Sequence, residues 1–97
     1  MPTGQALIVQ SPFRDEALDD LFALEDELIA AVNAAGAGEF DGNEIGAGRL
    51  ILYFYGNDCE SILKAVRPAL LANPITSSAQ ITLRFGPPGS VHRIEQL

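Results

Sequence analysis

The run Arg49-Leu50-Ile51-Leu52-Tyr53-Phe54-Tyr55 constrains this chain more than any other segment. Its β-branched and aromatic content makes it the strongest strand signal present. It is apolar on both sides. Leu50, Leu52 and Phe54 project one way, and Ile51, Tyr53 and Tyr55 the other. A chain of 97 residues builds one core, so residues 1–97 read as a single domain. Only two segments have helical periodicity, and two helices cover one side of a sheet. Tyrosine hydroxyls prefer a wet edge. Spacing alone leaves open which set is covered; the tyrosine preference selects Leu50, Leu52 and Phe54 to lie beneath the helices and Ile51, Tyr53 and Tyr55 on an open face.

The remaining elements follow from periodicity. Ala6-Leu7-Ile8-Val9 is a strand ended by Ser11-Pro12, and its apolar sides place it centrally. Residues 15–35 read as a helix with a stripe of Leu21, Leu24, Leu28, Ala31, Val32 and Ala35, closed by Gly36. A bulged strand near 39–45, a turn at Gly46-Ala47-Gly48 and the strand 49–55 form a hairpin. A turn at Asp41-Gly42 is the second choice, because it leaves one arm too short to pair. Asn57 is the expected N-cap of a second helix, with Glu60 completing a capping box. Ile62, Leu63, Val66, Ala69 and Leu70 form its buried stripe, Pro68 kinks it or loosens its end, and Asn73-Pro74 stops it. Gln80–Phe85 alternates as a half-buried strand. After the Gly86-Pro87-Pro88-Gly89 turn, Val91–Glu95 returns as a polar edge strand. The order is β-α-β-β-α-β plus β. That is an α+β, ferredoxin-like βαββαβ sandwich with an extra C-terminal edge strand, an antiparallel sheet and both helices on one face.

Charge is segregated. Ten of the thirteen acidic residues lie between Asp15 and Glu44, a stretch without Lys or Arg, and the net charge is −7. Phosphate backbones and anionic membrane surfaces require clustered cations, so neither nucleic acid nor membrane is an expected partner. The 47% hydrophobic share argues against disorder. Met1–Gln5 lacks signal-peptide character and no apolar run reaches a membrane span. One cysteine makes no internal disulfide, which fits a reducing, cytoplasmic setting.

Chemistry-bearing motifs are sparse. Cys59 sits where a helix dipole lowers a thiol pKa, but Asp58 and Glu60 flank it, and the sole imidazole, His92, is on a distant strand. No catalytic residue is assigned. Zinc lacks a second His or a Cys pair, and Asp41, Asn43 and Glu44 lack the spacing of a calcium loop, so no metal and no cofactor is expected. Turn chemistry explains those three residues. Gly36-Ala37-Gly38 and Gly46-Ala47-Gly48 resemble fragments of nucleotide loops without leading from a strand into a helix. Glu25, between Phe22 and Ile29, is read as a boundary carboxylate reaching water or Arg14.

The hairpin Asp41-Gly42-Asn43-Glu44-Ile45-Gly46, the junction Tyr55-Gly56-Asn57-Asp58 and the turn Arg84-Phe85-Gly86-Pro87-Pro88-Gly89 resemble those of a group of small uncharacterised bacterial proteins. The likeness spans roughly residues 18–96. It implies a shared fold and brings no activity with it.

Two surfaces carry the functional expectation. Ile8, Ile51, Tyr53, Tyr55 and Arg84 would form an open sheet face suited to a homodimer. Asp15, Glu16, Asp19, Asp20, Asp26 and Glu27 would present carboxylates to a basic protein partner. The leading expectation is a non-enzymatic protein-interaction module. The alternatives are a small-molecule-binding regulatory domain with its site at a homodimer interface, where Arg84 and the N–H groups near Asn57 hold an anion, and a cofactor-free enzyme of the dimeric α/β-barrel type using Tyr53, Tyr55 or His92.

Overall fold

A computed structural model describes residues 4–97. Met1–Thr3, part of the segment tested for a signal peptide, lie outside the described residues. Strands β1 (Gln5–Pro12), β2 (Glu39–Gly46), β3 (Arg49–Gly56), β4 (Gln80–Arg84) and β5 (His92–Gln96) form one antiparallel sheet in the order β2-β3-β1-β4-β5. Helix α1 (Leu18–Ala35), preceded by a 3₁₀ turn at Asp15–Ala17, joins β1 to β2, and α2 (Cys59–Ala72) joins β3 to β4. Each crossover passes over one intervening strand. The fold is α+β and compatible with a ferredoxin-like arrangement. β1 is central, as its two apolar sides require.

Alternation along the strands selects the core. Leu7, Val9, Leu50, Leu52, Phe54, Ile81 and Leu83 are buried in one cluster with Leu21, Leu24, Leu28 and Val32 of α1 and Ile62, Leu63, Val66 and Leu70 of α2. Both helices therefore cover the same side, and Leu50, Leu52 and Phe54 lie under them. Each such side chain contributes roughly 1.5–3 kcal/mol by leaving water. Phe40 of β2 extends the cluster by packing its ring 5.2 Å from that of Phe54. Ala35 is a correction: it lies on the α1 stripe but is exposed, because the helix ends there and the chain turns away. Gly36 makes that turn at φ 60°, and Ala37 N–H donates to Val32 O at 3.1 Å.

The hairpin turns at Ala47-Gly48. Gly46 pairs with Arg49, and Ala47 and Gly48 take φ 53° and 75°, a type I′ turn that matches the strand twist. Asp41-Gly42 is not the turn. The register shifts there, leaving Asp41 as the extra residue of a bulge. The α2 cap is a second correction. Asp58, not Asn57, is the N-cap: β3 runs through Gly56, so the helix begins one residue later. Asp58 accepts from Glu60 N–H at 3.1 Å and from Ser61 Oγ at 2.9 Å. At the other end Thr76 Oγ1, buried, donates to Leu70 O at 2.8 Å and closes an orphan carbonyl. Pro68 sits inside α2, which continues to Ala72.

Candidate functional site

The side of the sheet away from the helices is organised in three rows across all five strands. The first reads Glu39, Tyr55, Ala6, Arg84, His92. The second reads Gly42, Tyr53, Ile8, Thr82, Ile94, and the third Glu44, Ile51, Gln10, Gln80, Gln96. The five residues expected on this face, Ile8, Ile51, Tyr53, Tyr55 and Arg84, are all on it. They are half-buried, because close neighbours in the rows cover part of each. Ile94 is a further apolar member that sequence reasoning missed, and it is 55% exposed. Its signal was there: it alternates in phase with Thr82 across a predictable turn.

The polar groups of this face are tied to local partners. Tyr53 OH donates to Glu44, and this bond raises the Tyr53 pKa above its usual 10.0, with smaller contributions from burial and the carboxylate charge. Arg84 Nε donates to Gly86 O at 2.8 Å, which leans the guanidinium toward the 86–91 turn. Thr82, Arg84, Gly89, Ser90 and His92 line a concavity of about 320 Å³. The rim is signed: β2 brings Glu39 and Glu44, whereas β4 and β5 bring Arg84 and His92.

The acidic residues of the first helical segment, Asp15, Glu16, Asp19, Asp20, Asp26 and Glu27, are all exposed. Among the described residues every ion pair lies on the α2–β5 side: Arg67–Glu95 at 3.6 Å, Arg93–Glu60 at 3.4 Å and Arg93–Glu95 at 2.8 Å. Among the described residues these six carboxylates thus have no cation partner. Between them stand Leu18, Phe22 and Ile29, exposed by 39%, 51% and 39%. With Glu25 they follow 4-3-4 spacing, so the helix carries a second, unburied apolar stripe beside the acids. Glu25 does not reach Arg14. It accepts from Asn43 Nδ2 of β2 and pins the helix edge to the sheet edge.

The remaining motifs take structural roles. Cys59 is fully buried in the core. Burial is the main cause that pushes its thiol pKa up, with Asp58 adding to it. Its side chain lies on the helix side of the sheet and His92 on the other, so no dyad forms. Asn43 projects to the helix side and Glu44 to the open side, so these two ligand candidates diverge. The N–H groups at the start of α2 are already engaged: Cys59 N–H donates to Gln5 Oε1 at 2.9 Å and Glu60 N–H to Asp58. A cleft of about 440 Å³ beside them is lined by Glu39 and Asp58 and contains no cation. Among the described residues an anion therefore has no countercharge there, and the first N–H groups of α2 are taken. Gly56 is required by close packing, since a Cβ would stand 2.5 Å from Ala37 O. No helix among the described residues is long and apolar enough to cross a membrane. In comparison with known proteins, no family model matches the chain and no curated protein matches it.

Proposed function

We propose that this chain is a non-enzymatic, cytoplasmic protein-interaction module of ferredoxin-like build, sharing that build with the small bacterial proteins it resembles, whose α1 edge takes a basic, amphipathic segment of a partner protein. The observation that carries this reading is the stripe of Leu18, Phe22 and Ile29, left exposed among unpaired carboxylates. Charge alone steers a partner but discriminates poorly. An aromatic anchor inside an acidic rim supplies the desolvated contact that specific binding requires. A helix or extended segment bearing Lys or Arg beside Leu or Met matches both features.

The test is titration of a short Lys/Leu amphipathic peptide monitored by calorimetry. Affinity should fall at least tenfold between about 50 and 500 mM salt, as screening shortens the reach of the carboxylates. Phe22→Ala leaves every charge in place and should also weaken binding about tenfold. Binding that ignores salt, or that is unchanged in Phe22→Ala, refutes the reading.

A further inference from the structure

We infer that the open sheet face is occupied by a second copy of this chain, packed face to face about a two-fold axis that runs along β1. This is a different surface from the α1 edge and does not depend on it. The inference starts from the position of β1 as the middle strand of five. A two-fold axis lying between the sheets and parallel to the strands places β1 over β1, β3 over the partner's β4 and β2 over the partner's β5. An axis across the strands places β2 over β2 instead. The signed rim decides between them. The first axis sets Glu39 against His92 of the partner subunit, and the second sets acidic edge on acidic edge.

The rows then complement themselves. Tyr55 comes over the partner's Arg84, where the ring can enter the concavity of about 320 Å³ and meet the guanidinium. Exposed Ile94 comes over the partner's Gly42, the position in β2 that has no side chain. Ile8 meets the partner's Ile8 on the axis. Packed sheets cross at about −30°, so the correspondence is closest near Ile8 and loosens toward the rim. Five strands about 4.8 Å apart, with five shared residues at about 3.4 Å each, give a footprint of about 400 Å². Counting both copies, that buries about 800 Å², below the roughly 1,200–2,000 Å² of stable complexes, so a weak, transient dimer that dissociates at roughly tens to hundreds of micromolar is expected.

Sedimentation equilibrium from about 1 to 500 μM tests this. The wild type should pass from monomer to dimer and stop there. Ile94→Asp, at an exposed edge position that folding tolerates, should weaken the dimer at least tenfold with an unchanged circular dichroism spectrum. Glu39→Arg should also weaken it, and Glu39→Arg with His92→Glu should restore it. Ile8→Cys should be joined by a bismaleimide spanning the roughly 10 Å between packed sheets, whereas the wild type, whose Cys59 is buried, should not. A monomer throughout overturns the inference and leaves the α1 reading intact. Strengthening by Glu39→Arg overturns the axis, and mass that grows beyond the dimer shows edge-to-edge pairing instead.

Discussion

Replacement of Asp58 by alanine should destabilise the fold through the start of α2. The Asp58 carboxylate accepts from Glu60 N–H and Ser61 Oγ and sits at the positive end of a 14-residue helix. Loss of such a cap costs about 1 kcal/mol, and loss of the charge at the dipole about 0.3–1 kcal/mol. The total is roughly 1.5 kcal/mol, because the neighbouring Glu60 gains slightly from removal of a like charge. For a domain of this size, that lowers Tm by roughly 6–12 °C. Asp58→Asn retains an acceptor and loses only the charge, so its Tm should fall by roughly 2–6 °C. Thermal unfolding followed by circular dichroism separates the two. A second readout isolates the vacated donor: sulfate should raise the Tm of Asp58→Ala more than that of the wild type, since Glu60 N–H becomes free to bind an anion. Equal Tm values for wild type and Asp58→Ala would refute the reasoning, as would a sulfate response identical in both.

Ala47→Asn should raise stability by about 0.5–1 kcal/mol in urea unfolding, because alanine at φ 53° is strained and Asn-Gly suits a type I′ turn. Thr76→Val should lower it by about 1–3 kcal/mol by leaving buried Leu70 O without its donor, and Thr76→Ser should recover most of that. Tyr53 binds its proton more tightly in the folded chain than in the unfolded one, chiefly through Glu44. The associated stability is complete below pH 10.0 and is lost as pH rises through the raised folded value. In ultraviolet titration Glu44→Gln should lower the Tyr53 midpoint, and the stability difference between it and the wild type should shrink in alkaline solution.

Much of the architecture could be read from residue patterns because the patterns were redundant. Leu50, Leu52 and Phe54 alternate with Ile51, Tyr53 and Tyr55, the shortage of helices meant that one set is covered, and only the preference of tyrosine hydroxyls for a wet edge favoured Leu50, Leu52 and Phe54 as that set. The Gly46-Ala47-Gly48 turn followed from strand length on both sides. The α2 cap was misplaced by one residue because Asn57 and Asp58 are equivalent in local capping chemistry, and only the reach of β3 to Gly56 separates them. Glu25–Asn43 and Cys59–Gln5 were beyond local reading, since the first depends on how α1 packs on the sheet edge and the second on the pairing of β1 with β3. On the acidic helix, periodicity identified the stripe of Leu21, Leu24 and Leu28. It did not reveal how far Phe22 would stand in water, which depends on where the sheet edge ends.

The central place of β1 has a consequence for biosynthesis. Among the described residues its strand neighbours are β3 and β4, and Gln10 pairs with Gln80. A ribosome adding roughly 5–20 residues per second would keep this apolar segment without its second neighbour for several seconds. The β2–β3 hairpin is the one pairing that can close locally in the meantime. Nascent chains should thus offer Leu7, Ile8 and Val9 to chaperones until the final strands emerge, so slowing translation after Gly56 would be expected to increase aggregation.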